Sequence, residues 1–223
     1  MTVRTVSSGR VSGLVRREAI DSSDIRISVT NMKREYKMSA RADTSRQTGE
    51  RILAAASARF NVALFDEVTL DEIAADAGVT VQTVIRRFGS KEGIVAALGE
   101  LWNAEIQGQR SQAPVGDLAG AVTNLLDNYE ANGDVLMHLL RQENRVPTYA
   151  AFATGGRNFH IEWCAEVFAP WLDGRSGVAR KRLSAQLVTI CDVYTWHLLR
   201  RQQGLTRRQT GVALHELLEG VLG

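Results

Sequence analysis

Residues Thr69 to Gly93 read TLDEIAADAGVTVQTVIRRFGSKEG, two short helical patterns separated only by Ala-Gly-Val. No other stretch of the chain restricts its fold so tightly. Thr69-Leu-Asp-Glu72 fits a capping box: the Thr69 hydroxyl accepts from the backbone at Glu72 while Glu72 reaches back. A helix therefore starts there and buries Leu70, Ile73 and Ala77. Gly78 supplies the positive φ that a steep corner between two helices needs, and Ala74, one turn earlier, is small enough for the next helix to approach. Val79 fills the corner. Thr80 caps the second helix, whose i, i+4 apolar stripe is Val84 and Phe88. Packing thus claims one side only, and Val81, Gln82, Thr83, Ile85, Arg86 and Arg87 are distributed around the outside.

A helix that stands proud of its support suits a major groove about 12 Å wide. Gln pairs with adenine edges, Arg with guanine or phosphate, and Thr with either. The bland reading is an amphipathic hairpin with a solvated face. Against it stands the joint occurrence of cap, Ala, Gly, Val, cap and a basic exposed face at fixed spacing. Upstream, QTGERILAAASARF places Ile52, Ala56 and Phe60 on one helical face, and Thr44 with Gln47 fits a capping box before it.

The chain of 223 residues carries a formal net charge of only +2, so partners do not follow from the total. Divided along the chain, the charge is informative. The first 46 residues hold ten Lys/Arg against five Asp/Glu, without helical periodicity, and read as a disordered basic arm. Such an arm can track phosphates; the alternatives are a solvated tail, or a start placed too far upstream, since Met32 and Met38 also offer starts. Residues 47–101 hold five basic and eight acidic side chains, but five of the acids (Asp66, Glu67, Asp71, Glu72, Asp76) cluster on or before the supporting helix. The probe helix has two Arg and no acid, and its N-terminus adds positive partial charge.

The stretch TLDEIAADAGVTVQTVIRRFGSKEGIVAAL resembles the DNA-binding domain of TetR-type transcriptional regulators, over about Thr48 to Leu101. The resemblance implies an all-α chain: a three-helix reading head and a larger helical domain. It also implies a homodimer that holds double-stranded operator DNA and releases it when a small-molecule effector binds. Base contacts would come from the first turn of the recognition helix, Thr80, Val81, Gln82 and Thr83, and a phosphate grip from Lys91. Repression rather than activation is the family's habit; an activator or a partner-regulated DNA-binding protein of the same fold is the alternative. The chain departs from the pattern at Ile85, where a backbone-touching tyrosine is usual, and at Arg87, where many members have histidine. Ile85 suits a thymine methyl, and Arg86 or Arg87 can supply the lost grip. Gly93 stands where Glu usually completes a box with Ser90, so a frayed start to the fourth helix is expected.

On these grounds the chain divides into an arm (1–44), a DNA-binding head (45–101) and an effector-binding and dimerisation domain (102–223). The latter reads as helices near 117–131, 134–144, 148–153, 158–171, 178–203 and 206–222, punctuated by Gly133, Pro147, Gly155-Gly156, Asp173-Gly174 and Gly204. Leu183, Leu187, Ile190, Tyr194 and Leu198 form one apolar stripe, and Leu214, Leu217, Leu218 and Val221 another. They serve either the intramolecular core or a four-helix dimer interface, which is where the resemblance places them. Trp102, Tyr129, Met137, His138, Phe152, Phe159, Trp163, Phe168 and Trp171 are the large side chains of the central helices. As pocket lining they favour a flat or apolar effector without high charge; as core they need no ligand.

Cys164 and Cys191 have no paired spacing and suit a reducing, cytoplasmic setting. No stretch approaches the ~20 apolar residues of a membrane span. An enzymatic reading finds no support: no Glu-x-x-His pair occurs, HELLE at His215 lacks a second histidine, and no nucleotide or nucleophile motif is present. No cofactor or metal is expected. A helical interaction module that does not bind DNA is the remaining class, separated by insensitivity to changes at Gln82 and Arg86.

Overall fold

The computed structural model describes residues 43–223, in which helices α1 (43–60), α2 (Leu70–Ala77) and α3 (Val81–Phe88) come first. Helix α1 is already running at residue 43, so Thr44 stands inside it and is not its cap. The basic arm lies outside the described residues, apart from its end. Between α1 and α2 a single 3-10 turn, Phe65–Glu67, carries Phe65 into the interior. The α2 box forms as expected: Thr69 Oγ1 accepts from Glu72 N at 3.2 Å, and Glu72 Oε2 accepts from Thr69 N at 2.9 Å. Gly78 takes φ 63° and ψ 43°, the left-handed conformation that lets α3 leave at a steep angle. Thr80 then caps α3 by accepting from Thr83 N at 3.2 Å.

Helix α4 (Lys91–Arg110) has 20 residues, a rod of about 30 Å. Its start does not fray. Ser90 Oγ accepts from Gly93 N at 3.2 Å, which satisfies the first turn without the missing acid. Glycine is required at 93 for a different reason: a Cβ there would collide with the carbonyl oxygen of Phe88, where the chain folds back from α3.

Beyond it come α5 (Leu118–Leu140), α6 (Pro147–Val167), α7 (Ala169–Leu172), α8 (Gly177–Ile190), α9 (Val193–His197) and α10 (Arg207–Leu222), with a π turn, Leu198–Gln202, after α9. Several expected breaks are absent. α5 runs through Gly133, whose missing side chain makes room for the buried Trp196 ring, and α6 runs through Gly155 and Gly156. Conversely, the helix expected over 178–203 is interrupted near Asp192, whose carboxylate accepts from Tyr194 N at 2.8 Å and starts α9. Among the described residues there is no strand, and no helix is long and apolar enough to cross a membrane.

Two apolar clusters hold these helices. One joins α5, α6, α8, α9 and α10 through Leu125, Trp163, Leu187, Trp196, Leu214 and Leu218. The other gathers Ile52, Phe60, Ile73, Val84, Ile94 and Leu98 beneath the helix-turn-helix, and it also takes in Leu139, Val146 and Tyr149 from α5 and α6. Thr48–Gly223 is accordingly one compact unit. Truncating one of these fully buried aliphatic side chains costs about 2–5 kcal/mol.

Candidate nucleic-acid interface and internal cavity

Helix α3 turns Val84 inward, where it is 1% exposed, and half-buries Phe88 beside it. Gln82, Ile85 and Arg86, at i, i+3 and i+4, then share the outward face, and all are exposed. Thr80 and Thr83 are engaged with each other, their hydroxyls 3.0 Å apart, so the cap consumes part of their hydrogen-bonding capacity. Val81 is half-buried. Arg87 is held close against Gly49 of α1, with its guanidinium 5.9 Å from the Phe88 ring centre. Arg86 is exposed on this outward face, and among the described residues it forms no ion pair.

The support beneath this face is charged, and an arginine partly offsets its acids. Arg59 of α1 bridges Asp76 at 2.5 Å and Glu72 at 2.9 Å. The Thr69 hydrogen bonds, followed by the Arg59 charge, hold the Glu72 carboxyl below its ordinary range; the Arg59 hydrogen bond does the same for Asp76. Two of the acids that make the head formally negative are thus committed to an arginine behind the reading face.

Lys91 is turned inward. Its Nζ donates to the Phe65 and Val68 carbonyls at 2.6 and 2.8 Å and lies 4.2 Å from the Phe65 ring centre. The lysine expected to grip phosphate therefore spends two of its three donors tying α4 to the turn before α2.

The same turn is gripped from the other side. Phe65 N donates to Gln142 Oε1 at 2.9 Å, and Arg145 pairs with Asp66 at 2.8 Å. Phe65 lies between Phe60 and Tyr149, each ring centre 5.8 Å away. Tyr149 finds no hydrogen-bond partner for its hydroxyl, and burial pushes that phenol up to about 12.

Further along α4, α5 and α6 lies a cavity of about 110 Å³. Its walls include Asn103, Ile106, Gln107 and Arg110 from α4, Asn128, Tyr129, Leu136 and Leu140 from α5, and Phe152, Phe159 and His160 from α6. Helices α4 and α5 thus each touch both the cavity and the head.

Residues 52–98 match the family of bacterial regulatory proteins, tetR family. Over these residues the head matches the tetR family. No curated protein matches the chain. Solved structures of the same fold include a transcriptional regulator from Rhodococcus sp. Rha1, 17% identical, covering 78% of this chain and 95% of its own, with a TM-score of 0.62. Another is NalD, the secondary repressor of the MexAB-OprM multidrug efflux pump in Pseudomonas aeruginosa, 18% identical, with a TM-score of 0.59 over 79% of this chain and 97% of its own. A third is the complex of SmeT with triclosan, 18% identical, with a TM-score of 0.57 over 78% and 90%.

In this TetR-type fold the sequence-nominated residues scatter. Of the pocket candidates, Tyr129, Phe152 and Phe159 line the cavity. Met137, Trp163 and Phe168 are buried in the main core instead, with Trp171 packed against it. Trp102 packs edge-on to Phe152, 6.3 Å between ring centres, on the head side, and His138 contacts Ala63. Of the dimer candidates, Leu183, Leu187, Leu214 and Leu218 are interior to their own chain, at most 3% exposed. Ile190 and Val221 are half-buried, while Tyr194, Leu198 and Leu217 are exposed. The i, i+4 stripe was the inward face, and the outward apolar residues Val178 and Val212 lie off it.

Sequence reading also passed over Arg110, Asn128 and His160. A buried Arg at the end of an amphipathic helix resembles a surface cap in one dimension, and only the convergence of three helices reveals otherwise.

Proposed function

We propose that the protein is a cytoplasmic, homodimeric repressor of transcription. Residues 45–101 read double-stranded operator DNA, and residues 102–223 bind a small effector and dimerise. The observation that carries this reading is the outward face of α3, Gln82, Ile85 and Arg86, backed by a fully packed head. Gln82 and Arg86 supply base and phosphate contacts, Ile85 a surface for a thymine methyl, and Arg87 a contact nearer the edge. Thr80, Val81 and Thr83 shape the entering turn and present its backbone to phosphate.

Two heads must sit about 34–36 Å apart to enter successive major grooves. The dimer surface that places them runs along the exposed side of α8 and α10, where Val178, Val212 and Leu217 are apolar and outward. An effector in the internal cavity acts by changing that spacing through α4 and α5. NalD, a repressor, and SmeT, in complex with triclosan, share the fold and give precedent for each half of the reading.

Fluorescence anisotropy against DNA from upstream of the gene, over a salt series, tests the proposal. Tight sequence-selective binding, lost in a Gln82→Ala, Arg86→Ala double variant, is expected. Equal weak binding to scrambled DNA, together with a random-library selection that enriches nothing, would sink it.

A further inference from the structure

We propose that the internal cavity is a monocarboxylate site, in which Arg110 and Asn128 hold the carboxylate while Leu136, Leu140, Phe152 and Phe159 hold an apolar body.

The inference starts from a buried charge without a counter-charge. Arg110, the last residue of α4, is 3% exposed, and among the described residues no Asp or Glu forms an ion pair with it. An arginine does not escape burial by losing its proton. Its guanidinium sits 3.9 Å from the Trp163 ring centre and 5.7 Å from that of Tyr129. One terminal nitrogen reaches His160 Nδ1 at 3.4 Å, and Nε has no partner. His160 Nε2 lies 3.0 Å from the Val188 carbonyl, which only accepts, so that nitrogen carries a proton and Nδ1 is the one left to receive the arginine's bond.

No neighbouring anion hides in an unusual ionisation state. Burial pushes the Tyr129 phenol far up, and its hydroxyl donates to the Cys191 carbonyl at 3.0 Å. The Cys191 contact and burial likewise keep the Cys164 thiol protonated. Arg157 on the cavity wall is already paired with Glu143 at 2.5 Å, while the Asp192 carboxylate, also on the wall, accepts from Tyr194 N at 2.8 Å and forms no ion pair with Arg110.

A second buried group points into the same space. Asn128 is 2% exposed, and neither its amide nitrogen nor its amide oxygen has a partner. Arginine's fork matches the two oxygens of a carboxylate, and the Asn128 amide adds a donor and an acceptor beside it. One unpaired cation, in a cavity whose wall also carries the Asp192 carboxylate, selects a monoanion rather than a dianion. The apolar walls select the body attached to that carboxylate. An apolar cavity near 150 Å³ takes a benzene ring, so the 110 Å³ here admits a short chain or part of a ring. The rest of the molecule would extend toward the exposed Tyr194 at the mouth.

This inference rests on the effector-responsive reading. Its test uses the protein without DNA, so a carboxylate that binds but leaves operator affinity unchanged counts against regulation and for the site. Benzoate and hexanoate are titrated calorimetrically beside the isosteric neutral benzamide and hexanamide, with thermal unfolding in parallel. At least one acid is expected to bind with Kd below about 1 mM, and its amide at least about tenfold more weakly. Arg110→Met should abolish the acid's binding while leaving the unfolding temperature of the free protein unchanged or higher, because the unpaired charge is gone and the stem remains. Asn128→Leu, of similar volume, should weaken the acid about tenfold and provides the test if Arg110→Met fails to fold. Amides binding as well as acids, undiminished acid affinity in either variant, or no binding by either acid would overturn the proposal.

Discussion

His138 Nε2 lies 2.9 Å from the carbonyl oxygen of Ala63, joining the cavity-lining helix α5 to the segment after α1. A carbonyl accepts, so this nitrogen carries the proton, and the nearby Gln142 amide donates instead to the His138 carbonyl at 3.2 Å. With Gln142 Oε1 fixed by Phe65 N, the last turn of α5 and the turn that follows it both grip the head. Gln142→Ala leaves the buried Phe65 N–H without its partner, so a loss of about 1–3 kcal/mol is expected in urea unfolding. If this grip carries the effector signal, Gln142→Ala also blunts effector-driven release, with operator affinity in the absence of effector changed little.

Two glycines of α4 should respond to alanine with opposite signs. At Gly93 a Cβ meets the Phe88 carbonyl, and a loss of about 1–3 kcal/mol is expected. At Gly108 a Cβ meets nothing within 4 Å, and replacement should gain about 0.5–1 kcal/mol through helix propensity. Thermal unfolding of the two variants beside the wild type decides the matter.

Lys91→Met separates a structural lysine from a phosphate contact. The Phe65 and Val68 carbonyls lose their shared donor, so stability should fall by about 1–3 kcal/mol while the slope of log K against log salt barely changes. A slope reduced by about one, at unchanged stability, would return Lys91 to the phosphate-gripping role.

The Thr69 cap and the Arg59 brace together set a pH dependence. Glu72 and Asp76 both titrate below their ordinary values, so their contribution is fully present above about pH 4 and is lost as the pH falls through the lowered folded-state values. Urea midpoints should drop more steeply below pH 4 in the wild type than in a Glu72→Gln variant. Identical slopes would show that the Glu72 carboxylate, held by Thr69 and Arg59, adds nothing.

For the proposed dimer, Leu217→Glu places a charge on the outward side of α10 without touching the core. Sedimentation should show a shift to monomer at micromolar concentration with the helical circular dichroism intact. A dimer that survives this change and the matching Val212→Glu assembles through another face.

The helix-turn-helix was legible because its determinants are local. The Thr69–Glu72 box, the left-handed Gly78, the Thr80 cap and the Val84 stripe act within a few residues of chain, and each lies where the spacing put it. Local logic failed where a distant group supplied the reason. Gly133 looked like a helix end, yet it is a recess for Trp196, 63 residues away in the chain; Gly93 looked like a lost cap, yet it clears the Phe88 carbonyl. Lys91, Leu183, Leu187, Leu214 and Leu218 had the right character for a surface role, and tertiary packing turned them inward. The sequence by itself determined the helices and the outward-facing probe, since periodicity and capping are properties of neighbouring residues. Only the tertiary structure decided which apolar stripes became core and which α5 side chains hold the head. It also left Arg110 without a counter-charge, because burial and pairing depend on residues that the chain brings together only on folding.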